Sequence, residues 1–182
     1  MIYVPLVRQA YEYSCGAASL ASCLYYWGKW DGREPELYSR CGTTNQGTSS
    51  SGLIKTARQF GLKVKYRRGL QIKDLRKLVK QGRTVILSIQ AWGNYTSKTN
   101  MMDIWEDGHY VVLVGIRGDE VLLMDPGLAG SYRVMTVNRL LQCWHDWSDS
   151  GDSKEYNTGI ILWGRQVKKA IRPLKISSRK YI

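Results

Sequence analysis

Four cysteines and only two histidines stand in the chain, so few side chains can do nucleophilic or acid–base chemistry near neutral pH. Cys15 lies in QAYEYSCGAAS, where small residues open an apolar run that closes at Trp27. A thiol there occupies the first turn of a predicted helix. Unpaired backbone N–H groups and the helix dipole favour the thiolate at that place, and a neighbouring imidazolium favours it further. His109 opens the apolar run HYVVLVGI, which puts it at the rim of a predicted sheet, facing a groove. Asp125 ends the next run, LLMDPG. In a tight antiparallel hairpin the start of one strand lies beside the end of the next, so topology alone brings Asp125 towards His109. A carboxylate there orients the imidazole and selects its tautomer. A helix packed end-on against that sheet edge would join thiol, base and orienting acid in one site for nucleophilic catalysis. Gln9 precedes Cys15 by six residues, and its amide can join the Cys15 backbone N–H in holding a developing oxyanion.

Each of these residues also has a plainer reading. Cys is among the most buried residue types, and alone Cys15 is more often core filler than catalyst. Asp125 before Pro126 and Gly127 suits a turn, and Gln9 suits an exposed surface. Their joint order and spacing favour the catalytic reading. Cys23 falls roughly 80° further round the helix, on its core side. Cys41, before Gly42, is a candidate partner for Cys15 on oxidation. Cys143 and His145 form a rival pair, but in a helix they would point about 200° apart, which suits neither a shared metal nor a thiol–base pair. No CxxC pair occurs, so a zinc ribbon or thioredoxin-like site is unsupported, and the chain is read as having no cofactor or metal. Without a signal peptide the thiols are expected to be reduced.

The elements that must position these residues can be read in outline. Residues 15–27 read as a helix ended near Gly28, and residues 31–52 as loop. Ser50 or Ser51 is expected to cap a second helix running to Phe60, stopped by Gly61. Residues 62–68, LKVKYRR, alternate apolar and basic like a strand with one wet face. Apolar positions 72, 75, 78 and 79 mark a short amphipathic helix ended by Gly82. Residues 84–92, 109–117, 120–126, 131–137 and 158–164 are strand-like runs rich in β-branched residues. One residue separates Gly118 from Glu120, which predicts an antiparallel hairpin. Residues 137–147 are expected to be helical. Helices followed by an antiparallel sheet give an α+β class. The 182 residues suffice for one domain without metals or disulfides, read as residues 1–164 with a basic tail over 165–182.

The net charge of +12 is uneven. Residues 165–182 hold seven Lys and Arg and no acid, and without them the balance falls to +5. Residues 55–83 hold eleven Lys and Arg against Asp74. Such surfaces fit nucleic acid, anionic membrane or an acidic peptide. No nucleic-acid-binding signature accompanies the charge, which disfavours that partner. No stretch approaches the roughly 18–20 apolar residues of a membrane span, and the chain reads as soluble and cytoplasmic.

Gln9-x5-Cys15-Gly-Ala-Ala, then Gly-His109-Tyr-Val-Val, then Met-Asp125-Pro resembles the papain-like cysteine peptidases that process bacteriocin precursors, family thirty-nine of the cysteine peptidases. The resemblance runs from residue 3 to about 164 and is greatest to free-standing members. It implies a papain-like fold, N-terminal helices on a mainly antiparallel sheet, and cleavage after a double-glycine leader. It also implies Cys15 as nucleophile, His109 as general base, Asp125 as its orienter and Gln9 as oxyanion donor. The implied partners are an extended peptide or precursor-protein substrate, an acidic leader fitting the basic blocks, and a transporter. Ser14 departs from the Asp that the family often has there, and residues 91–107 are longer than an exporter domain needs. The same thiol chemistry serves amidases, deamidases and transpeptidases, and a non-catalytic peptide-binding domain is the non-enzymatic alternative.

Overall fold

A computed structural model of the chain describes residues 1–91 and 100–166. Helix α1 (Cys15–Trp27) carries small and apolar side chains all round, and it is buried along nearly its whole length. Gly28 ends it in a left-handed conformation, φ 63°, returning its N–H to the carbonyls of Leu24 and Tyr25. The stretch expected to be loop then contains a 3-10 turn, Glu34–Leu37, and the short helix α2 (Tyr38–Cys41). Pro35 starts that turn, and burial of Leu37 and Cys41 pins it to the core. Helix α3 (Ser50–Gln59) is capped by Ser49, whose hydroxyl accepts from the Gly52 N–H at 3.1 Å, one residue before the expected caps.

The remaining elements are β1 (Lys63–Arg67), α4 (Ile72–Lys80), β2 (Thr84–Gln90), β3 (Gly108–Arg117), β4 (Glu120–Met124), β5 (Arg133–Thr136), α5 (Val137–Cys143), β6 (His145–Trp147), β7 (Lys154–Tyr156) and β8 (Gly159–Trp163). A 3-10 turn, Met101–Asp103, precedes β3. The main sheet runs β1-β8-β2-β3-β4-β5 with antiparallel neighbours throughout. Helices α1 and α3 pack on one face over Ile86, Val112, Val114, Met124, Ile160 and Leu162. Helices α4 and α5 pack on the other over Val85, Leu87, Ile89, Val111, Leu113 and Leu123. Strict alternation thus divides the core into two layers, and the α+β class stands.

The helix expected over residues 137–147 stops at Cys143. Trp144 is buried with its indole N–H donating to the Thr158 carbonyl at 2.8 Å, and Asn157 N–H donates to the Trp144 carbonyl at 2.9 Å. These bonds turn the chain out of the helix into β6, which pairs with β7 as a small second sheet. Apart from Arg165 and Gln166, the basic tail lies outside the described residues.

Candidate active site

Cys15 is the first residue of α1, where the backbone N–H groups have no intrahelical partner, and it is buried to 7 % exposure. Its neighbour Gly16 admits a close approach: a Cβ there would stand 2.8 Å from Thr48 Cβ and 3.2 Å from the Tyr110 ring. The Ser19 hydroxyl donates to the Tyr110 carbonyl at 3.1 Å. Tyr110 follows His109, so these contacts hold the thiol end of α1 against the start of β3.

His109 Nε2 lies 2.7 Å from Asp125 Oδ1, both side chains being buried. The register of the hairpin produces this meeting. Arg117 faces Glu120 and Gly115 faces Leu122, but a bulge shifts the pairing so that Leu113 faces Leu123 and Val112 faces Met124. Asp125 therefore arrives opposite Val111, which shares a strand face with His109. An unbulged register would carry it opposite Val112, on the other face.

The Cys15 sulfur is the other group that acts on the imidazole. Burial alone would depress the imidazole. The Asp125 carboxylate and the Cys15 sulfur outweigh it and raise His109 from 6.5 to about 9. Burial likewise works against the Asp125 charge, yet His109, Arg133 and the Gly127 N–H lower it from 3.8 to about 2. Its Oδ1 accepts from Gly127 N–H at 2.8 Å as well as from His109, and its Oδ2 accepts from Arg133 Nε. Arg133 on β5 faces Leu123, two residues before Asp125.

Gln9 is tied to the same region through its backbone N–H, which donates to the Pro126 carbonyl at 3.0 Å. Its side-chain Nε2 donates to the carbonyls of Tyr11 and Glu12, both at 2.9 Å. The amide thus braces the loop that leads into Cys15. Ser14 closes that loop, its hydroxyl donating to the Tyr11 carbonyl at 3.0 Å and accepting from the Tyr11 N–H at 3.1 Å. Beneath it lies Glu34, 6 % exposed, whose Oε2 accepts from Tyr38 OH at 2.7 Å. Burial pushes the Glu34 carboxyl above its ordinary range, partly offset by Tyr38, the Ser14 hydroxyl and the Ala10 N–H.

The Peptidase C39 family model matches residues 3–148. This chain belongs to the Peptidase C39 family. Its fold is similar to that of a C39-like peptidase from Bacillus anthracis, at 20 % identity and a TM-score of 0.67, covering 90 % of this chain and 96 % of that one. It is also similar to a double glycine motif protease from an AMS/PCAT transporter in complex with the leader peptide, at 22 % identity and a TM-score of 0.60, covering 88 % and 91 %. An uncharacterised protein of Methanothermobacter thermautotrophicus is 32 % identical over 127 residues, 68 % of this chain and 72 % of that protein. The C39 peptidase is accordingly a hydrolase of the cysteine class, with the α+β fold of C39 peptidase domains.

The C39 peptidase's other thiols lie in the core. Burial pushes Cys23 up to about 12, against a Thr84 contact, and Cys41 and Cys143 each up to about 11. All four cysteines are free, so Cys15 and Cys41 are not joined. The rival His145 is buried at the start of β6, where its Nε2 donates to the Ile104 carbonyl at 2.8 Å and its ring packs 4.4 Å from Trp105. It braces the loop before β3 rather than sharing a site with Cys143. No group of three or more metal-ligating side chains occurs among the described residues, and no helix there is long and apolar enough to cross a membrane. Arg133 and Glu34 escaped the sequence reading. Arg133 sits in SYRVMTV and Glu34 in REPEL, and neither pattern reveals which buried group the side chain meets.

Proposed function

We propose that Cys15, His109 and Asp125 form the catalytic set of a peptidase that cleaves precursor peptides after small residues, as at a double-glycine leader. The observation that carries this reading is the His109 imidazole set between the Cys15 sulfur and the Asp125 carboxylate. The Cys15 thiolate attacks the scissile carbonyl, and imidazolium His109 gives its proton to the amine as the C–N bond breaks, leaving a thioester on Cys15. His109 then takes a proton from water, whose hydroxide cleaves the thioester and releases the acid. Asp125 keeps the ring aligned and balances its positive charge. The Cys15 N–H at the helix start meets the oxyanion, and Gln9 joins it by giving up one of its two loop carbonyls.

Residues 1–164 are taken as the peptidase unit. The preference for small residues rests on the likeness to the double glycine motif protease bound to its leader peptide. Association with a transporter is the corresponding expectation. The test is to incubate the full chain with peptides bearing Gly-Gly or Gly-Ala junctions and to follow cleavage by mass spectrometry. Cutting after the second small residue is expected, abolished by Cys15→Ser and by His109→Ala. If Cys15 alkylates no faster than a free thiol near neutral pH, the catalytic assignment fails. If it alkylates fast but every junction peptide stays intact, the substrate assignment fails.

A further inference from the structure

The active site uses none of the basic block over residues 55–83, yet the fold gathers part of that block into a cleft. Val64 and Tyr66 of β1 pack into the core beside α1 and α3. Alternation therefore turns Lys63, Lys65 and Arg67 to the opposite face, the one on which α4 lies. Arg67 Nη2 stands 3.8 Å from Asp74 Oδ2 on α4. These two, with Lys77, Leu78, Gln81 and Arg83, line an open cavity of about 230 Å³. The Arg83 guanidinium lies 4.6 Å from the centre of the Trp163 ring, and Trp163 is the β8 residue facing Lys63. Cations thus follow β1 along its whole length. Asp74, the acid in the lining, is engaged by its own helix, accepting from the Gln71 N–H at 3.0 Å in a capping box.

Strand β1 is also outermost in the sheet. It bonds to β8 on one side, and among the described residues no strand pairs with its other edge. Lysines on such an edge repel another basic strand, but they attract an acidic one. A row of unpaired N–H and C=O groups offers hydrogen bonds that a polypeptide backbone can match and a nucleic-acid backbone cannot.

We propose that the outer edge of β1 docks an acidic, extended polypeptide segment, with carboxylates at alternate positions meeting Lys63, Lys65 and Arg67. Backbone pairing sets the register, and the cleft cations Lys77 and Arg83 reinforce the choice of charge. The paired positions Arg67, Gly159, Leu87 and Val111 run across the sheet from β1 to β3. At about 4.8 Å per strand, β1 lies roughly 14 Å from the strand that bears His109. The docked segment lies one strand spacing outside β1, about 19 Å from β3, and about six extended residues beyond it would span that distance. The docking depends on no catalytic residue and is separable from cleavage.

The test is fluorescence anisotropy on the full chain with a labelled peptide of about eight residues alternating Glu and Thr, long enough to cover the strand. The acidic peptide is expected to bind, and its Gln–Thr counterpart to bind at least about tenfold more weakly. Affinity is expected to fall between about 50 and about 300 mM NaCl. Lys63→Ala with Lys65→Ala should weaken binding about tenfold, with circular dichroism unchanged. N-methylating the Glu residues in one peptide and the Thr residues in another separates strand pairing from plain charge attraction. Alternate N–H groups of a paired strand face its partner, so one methylated peptide is expected to lose about tenfold and the other to bind as before. Equal binding by both, indifference to the lysine variants or to salt, or tighter binding of a single-stranded oligouridine than of the acidic peptide would each overturn the proposal.

Discussion

Replacing Asp125 with Asn keeps the shape of the side chain and removes the charge beside His109. The imidazole's rise from 6.5 to about 9 corresponds to about 3 kcal/mol, and the carboxylate's fall from 3.8 to about 2 corresponds to about 2 kcal/mol. These are two views of one contact and are not added. The rise of His109 includes the Cys15 sulfur, and the fall of Asp125 includes Arg133, so about 2 kcal/mol is assigned to the pair itself. His109 binds its proton more tightly when folded, so its share of stability is complete below pH 6.5 and is lost as pH rises through about 9. Asp125 holds its proton less tightly when folded, so its share is present above pH 3.8 and is lost as pH falls through about 2. The stability margin of the parent over Asp125→Asn should therefore be widest between about pH 4 and pH 6.5 and narrow above it. Urea unfolding followed by tryptophan fluorescence at about pH 5.5 and about pH 9.5 measures this margin. Loss of the partner of Arg133 adds an offset common to both conditions, so the change with pH is the diagnostic quantity. The alkylation profile of Cys15 should show the same event, its imidazole-dependent alkaline limb moving down by one to two pH units, in order of magnitude. A margin equal at both pH values, with superimposable alkylation profiles, would refute the coupling of His109 to Asp125.

Arg133→Ala should act with the opposite sign, because Asp125 then gives its charge to His109 alone. The alkaline limb should rise while stability falls, read from a histidine proton NMR titration and a thermal melt. Glu34→Gln keeps an acceptor for Tyr38 OH without a buried charge, so it should melt no lower than the parent at neutral pH. Glu34→Ala leaves Tyr38 OH without that partner and should cost about 1–3 kcal/mol, with slower alkylation of Cys15 as its loop loosens. Gly16→Ala puts a Cβ 2.8 Å from Thr48 Cβ and should cost about 1–3 kcal/mol, with kcat falling more than KM rises. In native protein, iodoacetamide followed by mass mapping should label Cys15 and spare Cys23, Cys41 and Cys143, whose thiols are buried and raised. Urea should make all four react.

Much of the local structure was legible because it depends on neighbours in the chain. The small and apolar residues between Cys15 and Trp27 specify a buried helix, and Gly28 can take the left-handed φ that ends it. The alternation in LKVKYRR and the two-residue turn Gly118–Asp119 likewise set β1 and the β3–β4 hairpin. Residues 31–52 misled because Gly and Ser content marks only the later part as loop, whereas burial of Leu37 and Cys41 decides the earlier part. Residues 137–147 misled because the demand of Trp144 for a buried hydrogen bond to Thr158 is invisible in a local window.

By itself the sequence determined which side chains can do the chemistry and the order in which they come: a thiol at a helix start, an imidazole at a strand start, and a carboxylate at the end of the next strand. Only the tertiary structure decided that they meet. A single bulged residue in the hairpin carries Asp125 to the strand face of His109, and the lack of a side chain at Gly16 lets α1 approach Thr48 and Tyr110. The same holds for Arg133, Glu34 and the cations along β1, whose surroundings come from residues distant in the chain. Residue types and their periodicities are local properties. Register, close approach and burial arise from packing between distant segments, and these set the charge of His109 and Asp125.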